Sequence, residues 1–109
     1  MNKRPGIKKN AKFYVEAIRF LKSQDYVNAI KNLKEAIRLD SNEDLYINLL
    51  IDIKLQIGDA SGIQEVVDFY KNDMDTAVHA GYVDNWLSKL VSVRHFEQAL
   101  QLIKTVDSL

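Results

Sequence analysis

Gln24-Asp25-Tyr26-x-x-Ala29 decides the reading of this chain, because it returns as Gly58-Asp59-Ala60-x-x-Ile63 after 34 residues and as Arg94-His95-Phe96-x-x-Ala99 after a further 36. Each stretch reads as the turn inside a helical hairpin followed by the start of its second helix. Behind each turn apolar residues fall at the same offsets: Leu33, Val67 and Ile103, then Ala36, Tyr70 and Val106. A period in the thirties with this texture is the signature of stacked helical repeats. Such hairpins cannot bury their faces alone and normally present a surface to a partner. The expected fold is all-α, built from three antiparallel hairpins.

Working outward from the turns, Phe13, Ala17, Phe20 and Leu21 follow helical offsets with Tyr14 and Ile18 alongside, a wide apolar stripe before the first turn. Tyr26, Ala29, Ile30, Leu33, Ala36, Ile37 and Leu39 continue the period, and Asp40-Ser41-Asn42 closes the hairpin with cap and turn formers. The second hairpin starts near Glu43. Its first helix, through Leu45, Ile47, Leu49, Leu50, Ile51, Ile53, Leu55 and Ile57, is apolar on nearly all sides, as an element with neighbours on both flanks should be. Gly58 is a C-terminal stop and Asp59 an N-cap for the helix carrying Ile63, Val66, Val67, Phe69 and Tyr70. Asn72-Asp73-Met74-Asp75 reads as the next turn. Residues 76–93 read as one helix or as a helix starting only near Tyr82, since an interior Gly81 costs about 1 kcal/mol relative to Ala. Val83, Trp86, Leu87, Leu90 and Val91 supply its buried face, and Phe96 to Val106 forms the last helix.

These repeats resemble the tetratricopeptide family over about residues 10 to 109. Phe13 stands at the early aromatic of that motif, Ala17 at its small crossing residue and Phe20 at its Tyr. Ala29 and Ala36 match its two small second-helix residues, and Leu39-Asp40-Ser41-Asn42 its closing Leu-Asp-Pro-Asn with Ser41 for Pro. Repeat two keeps Gly58-Asp59 but places Ile51, Ile63 and Tyr70 at the small positions, and repeat three keeps Ala99 with Leu87 and Val106. Bulky residues there are expected to push the helices apart or to change their angle, because axes approach to about 8 Å only over small side chains. The resemblance implies a right-handed stack with repeats at about 10–43, 44–79 and 80–109. It further implies that Tyr14, Ile18, Leu45, Asn48, Leu49 and Asp52 line an inner groove suited to an extended segment or an amphipathic helix of a partner protein. Core packing is the competing account for Leu45 and Leu49. The family's clamp for peptide C-termini needs Lys and Asn where this chain has Tyr14, Ile18, Leu49, Gly81 and Asn85, so that clamp is not expected. The base-reading polar pair of the related pentatricopeptide class is not apparent either.

With 109 residues, 47% of them hydrophobic, one Pro and four Gly, the composition is that of one ordered domain. There is no cysteine, which removes disulfides and thiolate-held zinc and leaves no need for an oxidising compartment. No apolar run approaches the ~18 residues of a membrane span, and no signal-type segment follows Met1, so a cytoplasmic protein is expected. Zero formal net charge hides a dipole: residues 1–22 carry a net +6 and residues 41–109 a net −6. Residues 1–9 read as a flexible basic arm. Its Lys3, Arg4, Lys8 and Lys9, with Lys12 behind them, offer the alternative of a nucleic-acid accessory protein, against which stands the phosphate-repelling acidity of the remainder.

No phosphate loop, nucleophile elbow or paired-histidine motif is present, so no enzymatic activity, cofactor or metal is expected. His79 lies four residues after Asp75, but two ligands do not close a metal site. His95 reads as a capping or solvent-facing turn residue. Relatives in the family usually shield the last hairpin with a further polar helix, and here the chain stops at Leu109. Leu100, Leu102 and Leu109 are therefore expected to be exposed and to mediate self-association into a homo-oligomer.

Overall fold

A computed structural model of the chain describes residues 11–41, 43–59 and 61–109. Among these residues all regular structure is α-helical: α1 (Ala11–Lys22), α2 (Tyr26–Leu39), α3 (Asp44–Gln56), α4 (Ser61–Tyr70), α5 (Met74–His79), α6 (Tyr82–Ser92) and α7 (Phe96–Ser108). The all-α expectation holds. The chain divides into two compact units between Leu50 and Ile51, inside α3. The expected basic arm, residues 1–9, lies outside the described residues.

The three quoted turns close in the same way. In each, the residue after the last helical turn adopts a left-handed backbone, with φ of 58° at Gln24, 79° at Gly58 and 64° at Arg94. The N–H of that residue and of the next one reach back to helix carbonyls: Gln24 to Leu21 (2.9 Å) and Asp25 to Phe20 (2.8 Å). Gly58 likewise donates to Leu55 (3.1 Å) and Asp59 to Lys54 (2.8 Å), and Arg94 to Val91 (3.0 Å) and His95 to Leu90 (2.8 Å). This is the Schellman pattern, which satisfies carbonyls left without partners at a helix end. The period seen in the sequence is thus a period of backbone geometry. Asp25 then starts α2, its Oδ1 accepting from Asn28 N–H at 3.2 Å, and Asp59 Oδ1 accepts from Ser61 N–H at 2.9 Å.

In the first unit, α1 and α2 pack as a hairpin over three fully buried alanines, Ala17, Ala29 and Ala36, with Leu33 between them. The α3 segment of this unit adds the buried Tyr46, Ile47 and Leu50. The Tyr46 ring lies against Tyr14, centroids 5.2 Å apart.

In the second unit, Ile51, Ile53 and Leu55 of α3 pack with Ile63, Val66 and Tyr70 of α4, Trp86 and Leu90 of α6 and Leu102 of α7 as its buried core. Tyr70 meets Tyr82 and Trp86 at 6.4 and 5.7 Å between centroids, which joins α4 to α6. The expectation that bulky residues hold α3 and α4 apart is answered by the neighbouring position. A Cβ on Gly62 would stand 2.9 Å from Leu55 Cδ2 and 3.2 Å from Lys54 Cβ, so the close approach passes through Gly62, beside Ile63. Residues 72–75 are not all turn: Met74 and Asp75 open α5, and Met74 is buried. Of the two readings for residues 76–93 the broken one is found, with Gly81 at φ 79° in the left-handed region before Tyr82.

Candidate functional site

The groove residues expected on α1 and α3 separate cleanly from the packing residues beside them. In the first unit Ala17, Tyr46 and Leu50 are closed off, while Tyr14, Ile18, Asn48 and Leu49 stay half-open and Leu45 is 44% exposed. On an all-round apolar helix this division is informative, since a residue needed only for the core would be covered like its neighbours. Burial pushes the Tyr14 phenol above its ordinary range. The Oδ1 of Asn48 is buried and has no hydrogen-bond partner among the described residues.

Asp52, the sixth expected groove residue, belongs to the second unit and is nearly buried. Its Oδ2 lies 4.0 Å from Lys89 Nζ on α6, and its Oδ1 has no hydrogen-bond partner among the described residues. Desolvation raises its pKa and the Lys89 charge opposes that rise. The wholly buried Trp86, one turn before Lys89, carries an Nε1–H that is also without an acceptor among the described residues. Two residues further along α3, Lys54 is buried and its ammonium pairs with Glu65 of α4 at 2.5 Å. Such a pair is a packing device more than a reactive one, because each charge is neutralised where it sits.

The α7 expectation needs correcting at one position. Leu102 is fully buried against the second unit's core and forms no part of an exposed patch, whereas Leu100 and Leu109 are exposed. The open apolar stripe runs instead through Phe96 (48%), Leu100 (60%) and Ile103 (43%). Its four-then-three spacing puts these side chains on one face of α7, turned away from Leu102; of the three, the sequence expectation named only Leu100 as exposed. Leu109 borders a separate cleft of about 460 Å³ with Val106, Val78, Met74 and Lys71. Sequence reasoning missed this cleft because it assigned Met74 and Asp75 to a turn.

The histidines divide. His79 is exposed and its Nδ1 stands 2.9 Å from the Asp75 carbonyl in its own helix. His95 is the N-cap residue of α7, one of the two places expected for it, though its side chain makes no cap bond. It is half-buried, with its imidazole against Gly58 and its Nδ1 3.3 Å from the Leu55 carbonyl, a contact that needs the Nδ1–H tautomer. Gln98 Nε2 donates to the Gly58 carbonyl at 3.3 Å, so the start of α7 is tied twice to the α3–α4 turn. Of the basic residues proposed to contact nucleic acid, Lys3, Arg4, Lys8 and Lys9 lie outside the described residues. Lys12 is exposed with its Nζ 5.2 Å from the centroid of the Phe13 ring. No group of three or more metal-ligating side chains occurs among the described residues, and no helix there is long and apolar enough to cross a membrane. Compared with known proteins, the chain matches no family model, no curated protein and no solved structure.

Proposed function

We propose that the protein is a non-enzymatic interaction module, a scaffold or adaptor that holds an extended segment or an amphipathic helix of a partner protein on the face of its first unit carrying Tyr14, Ile18, Leu45, Asn48 and Leu49. The observation that carries this reading is the half-open state of Tyr14, Ile18 and Leu49 and the exposure of Leu45, beside the closed Ala17, Tyr46 and Leu50. Apolar side chains held open on a helix supply binding energy at about 25 cal/mol per Å² covered, and a rigid helical scaffold lowers the entropy lost on docking. Asn48, on the same face of α3 as Leu45 and Leu49, adds a polar group that fixes the register of a bound segment. The tetratricopeptide resemblance of the repeats supports the same use of the same helices. The proposed setting is the cytoplasm, which a cysteine-free fold suits.

The test is an affinity capture from native extract with the full chain, comparing wild type, Tyr14→Glu/Leu49→Glu and Val27→Glu, the last on an exposed position of α2. The expected result is a protein retained by wild type and Val27→Glu and lost by the double variant. Retention by all three, or recovery of nucleic acid alone, contradicts the reading.

A further inference from the structure

The exposed stripe of α7 carries a charge pattern that reads the same in reverse with the signs exchanged. Glu97 and Lys104 lie equally far on either side of the midpoint between Leu100 and Gln101, and so do Arg94 and Asp107. All four are exposed. Glu97 and Lys104 are two turns apart and therefore flank the Phe96-Leu100-Ile103 stripe on the same side. Asp107 continues the line of the stripe one turn beyond Ile103, and at the other end the Arg94 guanidinium sits 5.4 Å from the centroid of the Phe96 ring.

We propose that α7 is the interface of an antiparallel two-fold dimer, in which the stripe packs on the same stripe of a second copy about an axis at Leu100 and Gln101. The inference is separate from the partner-binding face of α1 and α3. A two-fold operation perpendicular to antiparallel helices keeps a flank on its own side and reverses its order. Each copy's Glu97 then faces the other's Lys104, and each Arg94 the other's Asp107. Phe96 of one copy packs near Ile103 of the other, with the two Leu100 side chains at the centre. The four-then-three spacing is that of a helix–helix seam, with Glu97 and Lys104 at the flanking positions that set orientation. In a parallel pair the two-fold axis runs along the helices and carries each flank to the opposite side, so the Glu97–Lys104 pairs form only in the antiparallel arrangement. A second copy is the occupant because the charges match the pattern's own reverse.

The experiment is sedimentation equilibrium of the full chain at low salt, from about 10 μM to about 1 mM, the range in which an interface at the small end of the specific class assembles. Wild type should rise from monomer toward dimer mass. Glu97→Lys alone and Lys104→Glu alone put like charges at both pairs and should each weaken dimerisation roughly tenfold or more. An equimolar mixture of the two single variants should restore association, and the double variant should dimerise as wild type does. Circular dichroism confirms the fold of each variant, which an exposed substitution should leave intact. A wild type monomeric throughout, a dimer indifferent to both single substitutions, or a mixture that fails to recover would overturn the proposal.

Discussion

Gln24, Gly58 and Arg94 occupy one backbone state with three different side chains, and this makes the turns an internal comparison. A left-handed residue with a Cβ carries strain on the order of 1 kcal/mol, which glycine avoids. Gly58 has a second reason to be glycine, since its Cβ would stand 3.2 Å from His95 Cε1. Gly58→Ala should therefore lower stability by about 1–2 kcal/mol, whereas Gln24→Gly should raise it slightly, by about 0.5 kcal/mol, after the added freedom of the unfolded chain is counted. Urea midpoints at constant m-value measure both, and equal destabilisation by the two would contradict the account. At Asp52 the sign of a pH effect follows from burial. Its pKa is raised in the fold, so the folded state keeps a proton that the unfolded chain has released, and stability contributed below the ordinary carboxylate range is lost as pH rises through the raised value. Asp52→Asn removes that loss. The melting temperature of the variant relative to wild type should become more favourable from pH 3.5 to pH 7; a difference flat across that range would contradict the assignment.

Among the elements, α3 shows what a sequence pattern reveals and what it conceals. Its apolar residues on nearly all sides were legible, and the continuous burial from Leu50 to Leu55 agrees with them. The burial of Lys54 within that run was not legible, because its partner Glu65 lies eleven residues away on the next helix. Removing only Glu65 strands an ammonium in the α3–α4 hairpin. Glu65→Ala should cost about 3 kcal/mol, and Lys54→Met/Glu65→Leu much less, a contrast that chemical denaturation reads directly. Two similar losses would mean that the ion pair itself supplies the stability. Gly62 escaped attention for a related reason. A small residue registers in a repeat only at its expected place, and here the close approach of α4 to α3 moved one position from Ile63. The periodicity marked Leu33 of α2, Val67 of α4 and Ile103 of α7 as equivalent, yet their burial falls from closed to half-open to exposed. Periodicity places a residue on a face of its helix, and only the neighbouring elements decide whether that face is covered.

At the scale of the molecule, the helical class, the three turns and their spacing could be read from the sequence because they rest on local backbone chemistry. The candidate site could be read only in part. Tyr14, Ile18, Leu45 and Leu49 were legible as apolar residues on two first helices, but whether they served core or surface depended on how much of each is covered. Leu102, expected on the surface and found buried, shows the same dependence. The central claim is that the Leu45 face is kept open for a partner chain. It is tested most directly by placing a photo-crosslinking residue at position 45, with position 27 on α2 as the control, and irradiating in the native cell extract. The account predicts a discrete protein adduct at position 45 that is missing at position 27 and disappears when Tyr14→Glu is added. No adduct at position 45, or the same adducts at both positions, would contradict it.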